Sequence, residues 1–149
     1  PVSLLDIAPT ITGTFDLPSD PDWPGHSLVQ IAAKPNDPDR IVFSEYHAAN
    51  SASGGFMVAN ARWKYHTYVG YAPELFDLKT DPLETCNLAD DLAFAAQRSA
   101  MEGALHRICD PVATDATAKA DQDMLVARYG GPAAAFNTGP SGATPVPGE

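Results

Sequence analysis

The stretch Arg62-Trp63-Lys64-Tyr65-His66-Thr67-Tyr68 decides the fold class of this chain. Its odd-numbered residues fall on one face of an extended chain and its even-numbered residues on the other, the pattern of a half-buried strand. Three further runs rich in β-branched and aromatic residues lie nearby, at residues 40–46, 55–59 and 74–78. We therefore predict four short antiparallel strands, with Asn60-Ala61 as a two-residue hairpin loop in which the Asn adopts positive φ.

The residues before the strands predict one helix and a long ordered connection. Residues 2–13 have apolar side chains at helical spacing, with Ser3 as N-cap and Gly13 past the end. Pro9 requires this helix to kink or step. Residues 16–39 are rich in Pro, Asp and Gly, so this segment is expected to cross a surface as an ordered loop.

The residues after the strands predict two helices and a tail. Residues 92–108 have helical spacing and stop at Asp110-Pro111. A second helix is predicted from a Thr114 cap to Tyr129. Residues 137–149 have little to bury and are predicted to form a flexible tail. A four-stranded antiparallel sheet packed against helices on one face is an α+β fold.

Composition excludes several classes of function. The chain has 149 residues, with nine Lys and Arg against nineteen Asp and Glu, for a net charge of −10. Such a surface repels phosphate backbones and anionic lipid, so we expect neither nucleic acid nor a membrane as partner.

The chain starts at Pro1 without an initiator Met, and it reads as cut from something longer. Cys86 and Cys109 could be one bridge or two buried thiols.

One histidine stands out as a candidate binding residue. His47 follows a predicted strand and opens a loop of small and polar residues, with Tyr46 before it and Asn50 after it. Binding groups commonly project from such loops because the sheet below is rigid. The other histidines have structural explanations, since His66 lies on a strand face and His106 in the last turn of a helix.

Several segments resemble the formylglycine-dependent sulfatases of the alkaline phosphatase superfamily. Residues 2–11 are similar to their V-S-x-x-D-x-x-P-T-[IL] segment, and Pro24-Gly25-His26-Ser27-Leu28 to their D-G-x-S-L stretch. Most specific are Arg62-Trp63-Lys64-Tyr65 and residues 74–88, which resemble R-x-x-x-W-K-Y and E-L-[YF]-D-L-x-x-D-P-x-E-x-x-N-L. The ending at residues 108–111 and 119–122 looks like a bacterial subgroup near choline-sulfatase and uronate-sulfatase-like enzymes.

The resemblance implies how the chain is divided into segments and which reaction the parent enzyme catalyses. Residues 1–39 would be a helix and crossing from a missing catalytic domain, residues 40–136 the C-terminal α+β subdomain, and residues 137–149 the tail. The parent would be an α/β enzyme that hydrolyses sulfate esters of a small molecule or sugar. His47, Tyr46 and Asn50 would then line the substrate side of the pocket.

The chain departs from the family at the residues that would carry out the reaction. Cys109-Asp110-Pro111-Val112-Ala113 begins like the C-x-P-x-R signature, but Ala113 stands where the arginine is needed. The acidic residues Asp77, Asp81, Glu84, Asp90 and Asp91 have adequate capping or solvated roles. Formylglycine and calcium are therefore expected in the missing catalytic domain, no catalytic or metal residue is assigned to this chain, and the isolated fragment is expected to be inactive.

Two other functions stay open from the sequence. A free-standing interaction module could use the same fold without a catalytic partner. The C-terminal part of a phosphonate or phosphodiester hydrolase of the same superfamily would have a similar sheet, since the difference lies in the nucleophile region. The natural substrate and the compartment are not determined by these residues.

Overall fold

The computed structural model describes residues 1–47 and 51–135. A four-stranded antiparallel sheet lies at its centre, with the strands in chain order. The strands are β1 (Val42–Tyr46), β2 (Gly55–Ala59), β3 (Trp63–Tyr68) and β4 (Glu74–Asp77). The helices are α1 (Ile7–Thr14), α2 (Leu28–Ala33), α3 (Ala95–His106), α4 (Pro111–Arg128) and α5 (Pro132–Ala135), with 3-10 turns at Leu4–Asp6 and Leu92–Phe94. The predicted α+β fold and its four strands are confirmed.

One face of the sheet carries the hydrophobic core. Phe56 and Val58 of β2, Tyr65 of β3 and Leu75 of β4 point to this face and are buried. Helix α3 covers them and contributes Leu105, with Met101 one turn earlier. The alternation predicted for residues 62–68 is confirmed, because the strand register places Lys64 and His66 on the opposite face.

The hairpin between β2 and β3 turns one residue later than predicted. The Asn60 N–H donates to the Trp63 carbonyl at 2.9 Å, so the two turn residues are Ala61 and Arg62. Asn60 has no positive φ. Its side-chain oxygen instead accepts the N–H groups of Arg62 and Trp63, at 2.9 and 2.7 Å. The predicted loop position was wrong because Asn works here through its side chain rather than its backbone freedom.

The N-terminal helix is stepped, as Pro9 requires. Ser3 caps the 3-10 turn in a capping box with Asp6, and the chain then becomes α-helical at Ile7. Pro9 is the third residue of α1, in the first turn, where a missing N–H costs least. Gly13 lies inside α1 rather than past its end.

The connections differ from the prediction in two further places. The apolar stretch in the 16–39 crossing forms the short helix α2. The second C-terminal helix has its N-cap at Asp110, not at Thr114, because the Asp110 carboxylate accepts the N–H groups of Val112 and Ala113. Pro111 takes the first helical position, which its fixed φ favours. The same Asp-Pro pair thus ends one helix and starts the next.

Two smaller findings concern the cysteines and the helices. Cys86 is free and exposed and Cys109 is free and half-buried, so they form no bridge with each other, and Cys86 is not a buried thiol. Within residues 1–47 and 51–135, no helix combines the length and the apolar character that crossing a membrane demands. The predicted tail, residues 137–149, lies outside the described residues.

Candidate functional site

The candidate site lies at the end of the sheet where the β1–β2 loop begins. His47 directly follows β1, and Gly54 directly precedes β2. Asn50, the third predicted site residue, lies outside the described residues. The geometry of the site is therefore that of His47, Tyr46 and the second half of the loop.

The His47 imidazole is wedged between the sheet and the loop. Its ring meets Phe56 edge-on, with the centroids 5.4 Å apart and the planes at 77°. About a fifth of its side chain is exposed, and Nε2 lies 3.8 Å from a Glu45 carboxylate oxygen. Nε2 is fully buried and has no hydrogen-bond partner among the described residues. A buried ring nitrogen without a partner among these residues is uncommon, which makes His47 the candidate residue of this site.

Helix α4 holds the loop against His47. The buried Asp115 carboxylate accepts the Gly54 N–H at 2.7 Å and the Lys119 ammonium at 2.7 Å. Lys119 also donates to the Ala52 carbonyl at 2.9 Å. These bonds, the one from Lys119 above all, keep the pKa of Asp115 below its ordinary value against the opposing effect of burial. A charged Asp115 therefore fixes the loop at ordinary pH.

Gly54 is required where the loop meets α4. A Cβ at this position would lie 2.9 Å from an Asp115 oxygen and 2.9 Å from His47 Cε1. The neighbouring Gln122 side chain donates to the His47 carbonyl at 3.4 Å. The cavity beside His47, Gly54 and Asp115 holds only about 10 Å³. The loop, the imidazole and α4 are thus closely packed together.

Sequence reasoning missed this supporting contact. Asp115 and Lys119 are four residues apart, a spacing that predicts an ion pair on a helix surface. That signal was present, but nothing in the sequence connects the pair to a loop about sixty residues earlier. Only the fold brings Asp115 to Gly54.

Tyr46 points away from His47. Because side chains alternate along β1, Tyr46 lies on the sheet face opposite the core, beside Gly55 of β2. Its side chain is 65% exposed. It lines a separate cleft that His47 does not reach. The structure therefore brings Tyr46 and His47 to one end of the sheet but not into one pocket.

The acidic candidates have structural partners. Asp77 is buried and bonded by Arg62, which holds its pKa below the ordinary value. Asp81 accepts the Cys86 N–H at 2.8 Å, and Asp91 caps the turn before α3. Within the described ranges, no three His, Cys, Asp or Glu side chains are grouped so that they could hold a metal ion. A calcium ion does not fit the residues described here.

The motif at residues 74–88 forms a brace along the free edge of β4. The Asn87 side-chain oxygen accepts the Leu75 N–H at 3.0 Å, and the Leu88 N–H donates to the Leu75 carbonyl at 2.8 Å. Glu84 pairs with Lys64 of β3 at 2.7 Å. Backbone groups that an edge strand would leave open are thereby satisfied. This part of the motif, the segment from Glu84 to Leu88, therefore stabilises the edge of the sheet.

The two N-terminal motifs are bonded to each other. The buried Asp6 accepts the His26 N–H at 2.9 Å and the Arg40 guanidinium at 2.8 and 2.9 Å. Burial opposes its ionisation, but these bonds and one from Ser3 outweigh it, so the pKa of Asp6 lies below its ordinary value. The Thr10 hydroxyl accepts the Leu28 N–H at 2.8 Å.

The same segment exposes an apolar surface. Large apolar side chains of residues 4–29 that are about half exposed or more belong to Leu4, Leu5, Ile7, Ile11, Phe15, Leu17 and Val29. Where exposed apolar side chains form one continuous patch, such a patch marks an interaction site.

Comparisons with known proteins point to the sulfatases, a class of hydrolases. No family model matches the chain. Its sequence relatives are nevertheless sulfatases, and its structural neighbours include sulfatases and a phosphonate monoester hydrolase, over about two thirds of its length. The predicted resemblance to a sulfatase C-terminal subdomain is confirmed to that extent.

Two sequence relatives illustrate the match. Arylsulfatase K of Danio rerio is 33% identical over 105 residues, which is 65% of this chain and 20% of that protein. The uncharacterized sulfatase YidJ of Escherichia coli (strain K12) is 30% identical over 116 residues, which is 75% of this chain and 23% of that protein. The chain thus spans about a fifth of the length of the curated relatives it matches.

Two solved structures share the fold. A 2-O GAG sulfatase superposes with a TM-score of 0.56 and 30% identity, covering 68% of this chain and 24% of that one. The phosphonate monoester hydrolase of Agrobacterium radiobacter also gives a TM-score of 0.56, with 26% identity over 68% of this chain and 23% of that one. The fold is therefore shared by enzymes of two related chemistries.

Proposed function

We propose that this chain is the C-terminal part of an enzyme that hydrolyses sulfate esters. The observation that supports it most is the identity of at least 30% to sulfatases over 65–75% of the chain. The nucleophile and the calcium ion then belong to a catalytic domain outside this chain, because the described residues offer no group that fits them. This chain would contribute residues that recognise the substrate and a surface that supports the catalytic domain.

His47 is the residue we propose to contact the substrate. About a fifth of its side chain is exposed, and an imidazole can bond a sugar hydroxyl, a carboxylate or the sulfate itself. Asn50 belongs to the same loop and keeps the predicted role. Tyr46 lies on the other face of the sheet end, so it would contact a different part of the substrate. A sulfated sugar is the substrate class we favour, in line with the 2-O GAG sulfatase of similar fold.

The catalytic domain is the partner we propose for the exposed N-terminal surface. Leu4 is 84% and Phe15 70% exposed, and Leu4 belongs to the segment that resembles the sulfatase family. Covering such side chains stabilises an association by roughly 25 cal/mol per Å² of apolar area. The N-terminal segment is meanwhile fixed to the α+β unit by Asp6 and Arg40.

Replacing His47 tests this proposal. In the full-length protein that contains this chain, His47→Ala should lower kcat/KM for a sulfated sugar about tenfold or more, since a buried bond of about 1.5 kcal/mol or more is lost. His106→Ala is the control, because His106 is an exposed histidine at the end of α3. A full-length protein with sulfatase activity and an unchanged kcat/KM in His47→Ala would contradict the role of His47. A full-length protein without sulfatase activity would contradict the proposed function itself.

A phosphonate monoester hydrolase is the second candidate, favoured by the shared fold. The reading frame upstream of Pro1, together with assays of both esters, separates the two. A C-x-P-x-R segment there supports the sulfatase, although the phosphonate hydrolase must then be distinguished by assaying both esters. A Thr or Ser nucleophile supports phosphatase-type chemistry, and an unrelated domain supports an interaction module.

A further inference from the structure

A second cleft lies on the sheet face opposite the core, at the same end as His47. Tyr46 of β1 and Tyr68 of β3 both pair in register with Gly55 of β2, so the two tyrosines flank a glycine. Met57 and His66 pair in the next row, beside Ser44. The cleft between these side chains holds about 130 Å³.

Gly55 makes the floor of this cleft. A Cβ there would lie 2.9 Å from Tyr68 Cε1, so the Tyr68 ring lies across the glycine. Tyr46 is 65% and Tyr68 41% exposed. Two partly exposed aromatic rings on a rigid sheet offer flat surfaces at little cost in conformational entropy.

The polar groups of the cleft suit an uncharged ligand. His66 lies 3.9 Å from Glu74 and its ring centroid lies 6.1 Å from that of Tyr68. Burial first, and then the charge of Lys64, lower the pKa of His66, so near pH 7 the ring is neutral and offers one donor and one acceptor. Lys64 itself is paired with Glu84, and Glu45 also borders the cleft. The Glu74 carboxylate beside His66 repels an anionic sulfate, whereas the Glu45 side chain lies on the core face, 3.8 Å from His47 Nε2.

We propose that this cleft binds the uncharged ring of a pyranose sugar. The C–H face of the ring would lie against Tyr46 and Tyr68, and its hydroxyls would bond His66 and Ser44. This inference rests on the proposed function, because it assigns to the cleft a sugar unit of the sulfated carbohydrate that carries no sulfate. It also gives Tyr46 a role that is separate from that of His47.

Saturation-transfer NMR on the 149-residue chain tests the cleft without any hydrolysis. The probe is methyl β-D-glucopyranoside, which has no sulfate. We expect saturation transfer to its ring C–H protons, reduced about tenfold in Tyr46→Ser and in Tyr68→Ser, because each removes one stacking surface. Tyr71→Ser is the matched control, since Tyr71 is 64% exposed and lies outside the cleft.

The outcomes separate this inference from the proposed function. No transfer to the sugar, an equal loss in Tyr71→Ser, or no loss in the two cleft variants would overturn it. Binding of tetramethylammonium in place of the sugar would also overturn it, because a cation site has the same aromatic walls. None of these results depends on whether the full-length protein hydrolyses sulfate esters, which the His47→Ala experiment measures.

Discussion

The contacts of single residues account for the residue types found in the two N-terminal motifs. Asp6 joins three segments through His26, Ser3 and Arg40, and it is fully buried. Gly25 packs directly on the backbone of the first turn, where a Cβ would overlap the Leu5 carbonyl. Close backbone approach and a buried carboxylate thus account for these positions.

Gly25→Ala should destabilise this chain by about 1–3 kcal/mol, because a methyl group has no space against the Leu5 backbone. Gly13→Ala provides the comparison, since nothing lies within 4 Å of a Cβ there and Gly13 is inside α1. That variant should gain about 0.5–1 kcal/mol from helix propensity. Urea unfolding of both variants measures the difference, and equal effects would contradict this account of Gly25.

Among the elements, β4 depends most on the segment that comes after it in the chain. It is the edge strand on one side of the sheet, and residues 84–89 fold back to bond its free edge. The side-chain oxygen of Asn87 receives two backbone N–H groups, from Leu75 and Ala89. One side chain thereby satisfies the edge strand and shapes the turn toward α3.

Asn87→Ala should leave the N–H of the fully buried Leu75 without its partner and cost about 1–3 kcal/mol. Hydrogen exchange at the Leu75 amide should accelerate more than exchange in β2. Asn87→Asp keeps the accepting oxygen and should restore most of the protection. If Asn87→Asp and Asn87→Ala exchange equally fast, the acceptor role is wrong.

The element predictions succeeded where periodicity was long and failed at the boundaries. The four strands and the face assignment of β3 follow from alternation, which any core on one side of a sheet imposes. The Asn60 turn and the Asp110 cap were misplaced, because Asn and Asp can act through either backbone or side chain. That choice depends on neighbours that a local pattern does not include.

At the scale of the whole molecule, charge and folding are coupled. The pKa values of Asp6, Asp77 and Asp115 all lie below the ordinary value, because each carboxylate is bonded by a cation or by backbone N–H groups in the folded state. The pKa of His66 is also lowered, mainly by burial. In each case the unfolded chain binds the proton more readily, so acid favours unfolding.

The free energy of unfolding should therefore fall in two steps as the pH drops from about 7. The first begins near pH 6.5, where the unfolded His66 protonates and the folded one does not, and the second lies below about pH 3.8, where the carboxylates lose their bonds. His66→Gln should remove the first step and leave the second. Denaturant titrations across this pH range measure both, and a first step that persists in His66→Gln would contradict its assignment.

The sequence by itself determined the class of fold and the sulfatase resemblance, and its net charge led to the expectation that nucleic acid and membranes are not partners. These depend on alternation, local motifs and total charge, all of which can be counted along the chain. Only the tertiary structure decided that Asp115 of α4 holds Gly54 beside His47, and that Tyr46 faces a different cleft from its neighbour His47. The physical reason is that a strand sends adjacent side chains to opposite faces, while packing joins residues about sixty positions apart.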